Sequence, residues 1–377
     1  MHSIPLQQTQ SLSTWSQNPG AQTESPTSDL DFILPKATVN EIFNALIGSR
    51  KSQNSEIATA IFEVSSKKSE PKLNRYYIQL KVIANSAENY ALPAFRESKD
   101  GIRPYILMLP KPMALDSKTR HYEEQRNFLR TVSSGGDISP KIKELAITTA
   151  ALKEGANIKL SSDQKEALRA PYFVEFIQGG DLRNFLIENP HLTLSDRVGI
   201  AQKLCTLVQT LHNKYRIAHR DIKPQNFVIR KIEGTYQVFI IDFGLATQKD
   251  NIKSKSGTEM FFPPEYSYVD KQIGHNPFDG DKYSLGSTLF TLLSNKFFAE
   301  NYKKILEDST VLEYHLNYLR EMTEEGMPGR AKDSLTIKVI KNDLQMHPNR
   351  IQKAVFGLMR FEPNDRADIE STIDLLN

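Results

Sequence analysis

A chain of 377 residues is long enough for one large domain or two smaller ones, and 39% hydrophobic with 25% charged residues is ordinary for a globular protein. A formal charge of +3 is too small to mark a nucleic-acid or anionic-membrane binder, and the single cysteine, Cys205, excludes an intrachain disulfide and a cysteine-built zinc site. No apolar run approaches the ~20 residues of a membrane span, and MHSIPLQQTQSLSTWSQ lacks the layout of a signal peptide, so a cytosolic site of action is expected.

Residues 1–34 are rich in Ser, Thr, Gln and Pro and read as a disordered arm. Thr38 with Glu41 forms a capping box ahead of a short amphipathic helix containing Ile42, Phe43, Leu46 and Ile47. The pattern then turns to strands: TAIFEV, RYYIQLKVI, YALPAF and RPYILMLP, with a hairpin turn at Lys99-Asp100-Gly101. One helix, from about Ser117 to Val132, interrupts the series, and after a long connection (134–170) comes a last strand, YFVEFI. From Leu192 onward the chain is mostly helical. Thr193 and Asp196 cap a helix whose apolar face carries Val198, Ala201, Leu204, Cys205, Val208 and Leu211. A sheet-rich first part and a helix-rich second part predict an α+β, bilobal architecture with a cleft between the lobes.

The stretch IAHRDIKPQNFVIRKIEGTYQVFIIDFGLAT (217–247) sets Asp221, Asn226 and Asp242 beside apolar runs. Hard oxygen ligands placed there suit a cation such as Mg²⁺. His219-Arg220-Asp221-Ile222-Lys223-Pro224-Gln225-Asn226 resembles the catalytic loop of eukaryotic-type protein kinases, and Asp242-Phe243-Gly244 their magnesium-binding motif. Gly257-Thr258 with Pro263-Pro264-Glu265 resembles the end of the activation segment. Asp281-Lys282-Tyr283-Ser284-Leu285-Gly286 resembles the helix that supports the catalytic loop, and Arg366 resembles the arginine that pairs with the Glu of the activation segment, here Glu265.

The resemblance implies a kinase-like fold over 35–377: an antiparallel-sheet N-lobe with one main helix (35–174) and a mostly helical C-lobe (175–377). It implies ATP and Mg²⁺ as cofactors, with Asp242 and Asn226 holding the metal. Asp221 would accept the substrate hydroxyl proton, and Lys223 would reach the γ-phosphate. Lys223 points to Ser/Thr substrates. His219 would stack beneath Phe243 rather than act as a base. Arg220 would bind a phosphate at Ser254 or Ser256, or form a local salt bridge. Gly244 gives backbone freedom beside the metal. In the strand YFVEFI, Val174 would line the adenine pocket, the backbone of Glu175 and Ile177 would bond adenine, and Asp181 would meet ribose, a basic substrate side chain, or only solvent.

No G-x-G-x-x-G precedes residue 179, and two registers follow for the first lobe. In one, Tyr77–Ile83 is the third strand and Lys81 the phosphate-binding lysine. In the other, RPYILMLP is the third strand, Ala84–Asn89 a glycine-free phosphate loop, and the lysine position holds Met108 or passes to Lys111. Spacing favours the second. Glu124, with Phe128 on the same helix face, is the expected partner of the lysine. The reading is therefore a Ser/Thr protein kinase acting on protein hydroxyls. A pseudokinase scaffold and a small-molecule phosphotransferase are the alternatives. The divergent first lobe, polar arm and intact catalytic loop also resemble kinases that bacterial pathogens inject into host cells, which would make host proteins the substrates.

Overall fold

The computed structural model describes residues 59–64, 74–79, 84–85, 89–98, 101–110, 124, 126–133, 138–140, 142–144, 172–177, 179–266, 274–297 and 329–377. The N-terminal arm, the Thr38 capping box, Lys81, Lys111 and most of the 134–170 and 296–345 connections lie outside them. The chain forms two compact units, Met1–Ser133 with Pro140–Gln178, and Ser134–Ser139 with Gly179–Asn377.

The first unit is built on a seven-stranded sheet. Its strands are β1 (Thr59–Val64), β2 (Asn74–Gln79), β3 (Ala84–Asn85), β4 (Asn89–Ser98), β5 (Gly101–Pro110), β6 (Ile142–Glu144) and β7 (Tyr172–Glu175). The order is β1-β2-β4-β5-β7-β6, with β3 also pairing β4, and every pairing is antiparallel. Ser98 pairs with Gly101, so the β4–β5 hairpin turns in two residues, as the Lys-Asp-Gly sequence predicts. Proline inside a central strand normally costs a ladder bond. Pro93 escapes this because β2 pairs β4 at Ala94–Arg96 and β3 pairs it at Tyr90–Ala91, which leaves 92–93 as a gap on that edge. β7 lies between β5 and β6, with Ile106 of β5 opposite Val174 and Met108 opposite Tyr172. The helix α1 (126–133) buries Leu129 and Val132.

The second unit contains β8 (Gly180–Asp181), α2 (Leu182–Glu188), α3 (Leu194–Tyr215), β9 (Phe227–Ile232), β10 (Thr235–Ile240), α4 (Pro277–Ser294), α5 (Gly329–Asp343), α6 (Asn349–Leu358) and α7 (Ile369–Leu376). β9 and β10 form a hairpin through Glu233 and Gly234, both at positive φ (49° and 81°), and β8 adds to its edge. That double left-handed turn matches the twist of a tight hairpin. The Thr193/Asp196 capping box is present at the start of α3. The buried face of α3 carries Ala201, Leu204, Cys205, Val208 and Leu211 of the predicted set, together with Arg197, Ile200, Leu207, His212 and Tyr215, while Val198 is half-buried.

α4 is buried along nearly its whole length. Two of its buried hydroxyls are satisfied locally: those of Thr288 and Thr291 donate to the carbonyls four residues earlier at 2.9 and 3.0 Å. Gly286 has no room for a side chain, because a Cβ there would lie 2.5 Å from Met359 Cγ. The core of this unit buries Leu285, Leu289 and Phe290 of α4, Leu204 and Val208 of α3, and Ala354, Val355 and Leu358 of α6, where α4 packs on α3 and α6. Phe227 and Ile240 of the hairpin are buried too, and β10 packs on α3.

Candidate active site

The loop between α3 and β9 carries Asp221 on a frame fixed from below. Asp281, buried in α4, accepts the backbone N–H of His219 at 2.6 Å and that of Arg220 at 2.7 Å. His212, in the last turn of α3, places its Nε2 2.9 Å from the same carboxylate. One buried acid therefore ties two helices to the loop. Arg220 is held at φ 68°, a left-handed conformation that a non-glycine residue adopts only when its surroundings impose it. His219 is fully buried, its ring 5.3 Å from that of Phe243 and its Nε2 2.9 Å from the Ile241 carbonyl. It therefore packs under Phe243 and does not face the site.

Above this frame the Asp221 carboxylate is the centre of a short network. Lys223 Nζ donates to Oδ2 at 2.7 Å, Asn226 Nδ2 donates to Oδ2 at 3.0 Å, and the Thr258 hydroxyl donates to Oδ1 at 2.9 Å. Lys223 also donates to Thr258 Oγ1 at 2.7 Å. Burial pushes the Asp221 carboxyl up, but the Lys223 ammonium and the hydrogen bonds from Lys223 and Thr258 outweigh it and hold the group below the usual carboxylate range. Thr258 reaches this position because Gly257 turns at φ 116° directly over the loop. A Cβ on Gly257 would meet the Arg220 carbonyl at 2.5 Å.

Asn226 spends its amide nitrogen on Asp221, on the backbone carbonyl at 2.8 Å as well as on the carboxylate, so its side-chain oxygen is the atom left for a cation. Its backbone carbonyl accepts from Ile241 N–H at 2.9 Å, one residue before Asp242. Asp242 is exposed, sits at φ 65°, and accepts one long bond from Gly244 N–H at 3.3 Å. Among the described residues no three His, Cys, Asp or Glu side chains converge on a metal. The donors present are one amide oxygen and one carboxylate. That set fits Mg²⁺, which is held by one or two protein oxygens and completed by phosphates and water.

The segment after Asp242 is anchored at both ends. Arg220 donates from Nη1 to the Leu245 carbonyl at 3.2 Å and from Nη2 to Ser254, to its carbonyl at 3.2 Å and its hydroxyl at 2.8 Å. Glu265 and Arg366 form a bidentate pair, with bonds of 2.7 and 2.6 Å and side chains 2% and 0% exposed. The other Arg366 N–H groups go to the carbonyls of Arg360, Asp279 and Phe361, so all five donors are used. Its guanidinium lies 5.2 Å from the centre of the Tyr283 ring.

The remaining candidates divide. Asp181 caps α2, accepting from Asn184 N at 3.0 Å and Asn184 Nδ2 at 2.6 Å, so both its oxygens serve the helix. Burial pushes its carboxyl up against those bonds. In the first unit Ile177 is buried, while Val174 and Glu175 are half-buried in β7 and its extension. Ile106 and Met108 share the Val174 face of the sheet, as residues directly opposite do. Glu124, two residues before α1, is exposed. His212 was not among the residues picked from the sequence. Its signal was a basic side chain in the last helical turn, seven residues before His219.

A model of the protein kinase domain matches residues 156–374. The chain belongs to the protein kinase family. It is similar to human myosin light chain kinase 2 of skeletal and cardiac muscle, 29% identical over 217 residues that make up 54% of this chain and 34% of that protein. Calcium-dependent protein kinase 25 of Arabidopsis thaliana is 25% identical over 224 residues, 57% of this chain and 41% of that protein. The ovarian-specific serine/threonine-protein kinase Lok of Drosophila melanogaster is 32% identical over 133 residues, 34% of this chain and 28% of that protein. The kinase chain thus spans about a third of the length of these curated relatives. Its bilobal α+β class is that of the family, and among the described residues no helix is long and apolar enough to cross a membrane.

Proposed function

We propose that this kinase is an active Ser/Thr protein kinase that transfers the ATP γ-phosphate to protein hydroxyls. The observation that carries the reading is the Asp221 carboxylate, held ionised between Lys223, Asn226 and Thr258. A carboxylate so held can orient a substrate hydroxyl and take its proton as the oxygen attacks. Lys223, already at bonding distance of Asp221 and Thr258, supplies positive charge where it moves toward the acceptor. Asn226 and Asp242 hold Mg²⁺, which neutralises the phosphate oxygens when ATP is bound. In the first unit, Val174 lines the adenine pocket and the backbone of Glu175 and Ile177 receives the base. Arg220 and Ser254 form the point at which phosphorylation would act on the segment.

The test is labelled Mg-ATP with a generic basic protein, for the wild-type chain beside Asp221→Asn and Asp242→Ala. Label with wild type alone supports the reading, and no label from any of the three sinks it. Lys81→Ala against Lys111→Ala then assigns the phosphate-binding lysine. Pairing of β5 with β7 supports the second register, in which the lysine position holds Met108 or passes to Lys111.

A second reading is a pseudokinase scaffold. It is favoured by Ile106 and Met108, two uncharged residues on the Val174 face of β5. Nucleotide binding by wild type without transfer, and partner capture indifferent to Asp242→Ala, would establish it. A small-molecule phosphotransferase stands third, because the Glu265–Arg366 anchor belongs to an activation segment that such enzymes lack.

A further inference from the structure

Ile252 and His275 form an isolated antiparallel bridge, each donating its N–H to the other's carbonyl at 3.0 Å. The bridge fastens the middle of the segment after Asp242 to the residue that precedes Asn276, the N-cap of α4. The His275 ring lies 4.8 Å from that of Tyr266, whose hydroxyl donates to the Ser256 carbonyl at 3.2 Å. One histidine thus supports the segment twice, at 252 through its backbone and at 256 through Tyr266.

His275 is 6% exposed, and among the described residues neither Nδ1 nor Nε2 has a hydrogen-bond partner. Neutral imidazole tolerates such a place. Imidazolium would bury a charge with two unmet N–H donors. The groups around the ring do not help a proton. The Arg220 guanidinium is a cation. The start of α4, one residue away, is the positive end of a helix dipole. Tyr266 is a neutral phenol whose burial keeps it protonated. Among the described residues Glu265 is the anion that bears on the ring, and Arg366 already holds both its oxygens. Burial, opposed by Glu265 and aided by Arg220, keeps the ring below its ordinary pKa.

We propose that His275 is a proton-operated latch on this segment: neutral, it holds Ile252 and, through Tyr266, Ser256; protonated, it lets them go. The closed form binds fewer protons than the open one. Closure is therefore complete above the pKa of the released ring, roughly 6.5, and weakens by at most about tenfold per pH unit below it. The latch regulates the site read above as a kinase site, but it can be observed without phosphoryl transfer.

The experiment is amide hydrogen exchange at Ile252 and His275 from pH 7.5 to 5.5, corrected for intrinsic rates, in wild type and His275→Leu. An NMR titration of the His275 Cε1–H in wild type runs beside it. Protection that falls by up to about tenfold per pH unit below roughly 6.5 in wild type, stays flat in His275→Leu, and accompanies a ring midpoint below that value supports the latch. A midpoint at or above that value, or wild-type protection that ignores pH, overturns it. So does an equal pH dependence in the two proteins. If His275→Leu does not fold, the two wild-type measurements decide. Loss of catalysis with the latch intact would strike the kinase reading alone.

Discussion

Arg366 reaches back 101 positions to grip Glu265 with two charge-assisted hydrogen bonds, and neither side chain sees solvent. Pairs of this kind are strong in one sense only. Removing one partner strands the other charge, whereas replacing both with packed apolar groups costs little. Arg366→Ala should lower unfolding stability by about 3–5 kcal/mol, and Glu265→Gln by a comparable amount. Chemical denaturation of the purified chain measures both, and a loss below 1 kcal/mol for either would contradict the buried-pair account.

Asp281 serves three donors at once: two backbone N–H groups of the catalytic loop and the His212 ring. Asp281→Asn turns half of that acceptor into a donor facing donors. The expected cost is about 2–4 kcal/mol of stability together with a fall in transfer rate. Asp281→Asn that matches wild type in both melting and labelling would show that the loop needs no such support.

Asp221 gives a pH prediction. Its folded carboxyl ionises below the unfolded value of about 3.9, so the stability it adds is present above that value and drains away as pH falls through the folded one. Transfer should therefore show no acid limb from Asp221 between pH 5 and 8. Asp221→Asn should reduce transfer by at least about 10²-fold across that range. A rate profile in which wild type gains an Asp221-dependent limb near pH 6 would refute the assignment.

Gly257 stands at φ 116° against the Arg220 carbonyl. Gly257→Ala combines an unfavourable backbone with a 2.5 Å contact, so it should cost about 1–3 kcal/mol locally and displace Thr258 from Asp221. Calorimetry and the labelling assay read the two effects. Gly180→Ala, where a Cβ meets nothing within 4 Å, is the matched control.

Arg220 already donates to the Ser254 hydroxyl, and a phosphate there would add charge-assisted bonds. Where peptide mapping of the wild-type chain finds a phosphate at Ser254, Ser254→Ala should slow transfer several-fold. In Arg220→Ala the same change should have no further effect. Equal rates for phosphorylated and dephosphorylated wild type would remove Ser254 from the regulation.

The legible parts were those whose chemistry is local. The Thr193 capping box, the two-residue hairpin after Ser98 and the strand TAIFEV all announce themselves within a few residues, and they stand where the pattern put them. The order Asp221, Asn226, Asp242, Glu265 and Arg366 was visible as motif, but the convergence of Thr258 on Asp221 depends on the Gly257 turn, which no periodicity encodes. The buried stripe of α3 is wider than its apolar pattern. Arg197 is buried there because its guanidinium bonds the Leu292 carbonyl at 2.5 Å and Asn295 Oδ1 at 2.9 Å, and no sequence rule anticipates such partners. Asp181, read for ribose, a basic substrate side chain or solvent, also caps α2, a role its sequence position did not single out.

The reach of Arg366 also fixes an order of assembly. During synthesis Glu265 emerges well before its counter-charge, and until residue 366 follows, the end of the segment has a carboxylate with nowhere dry to go. The Phe361 and Arg360 carbonyls that steady Arg366 come from the same late stretch. A ribosome-bound chain stopped before residue 366 should therefore already contain a protected β9–β10 hairpin while leaving 257–266 open to protease. The catalytic half would finish folding only after residue 366 has left the ribosome.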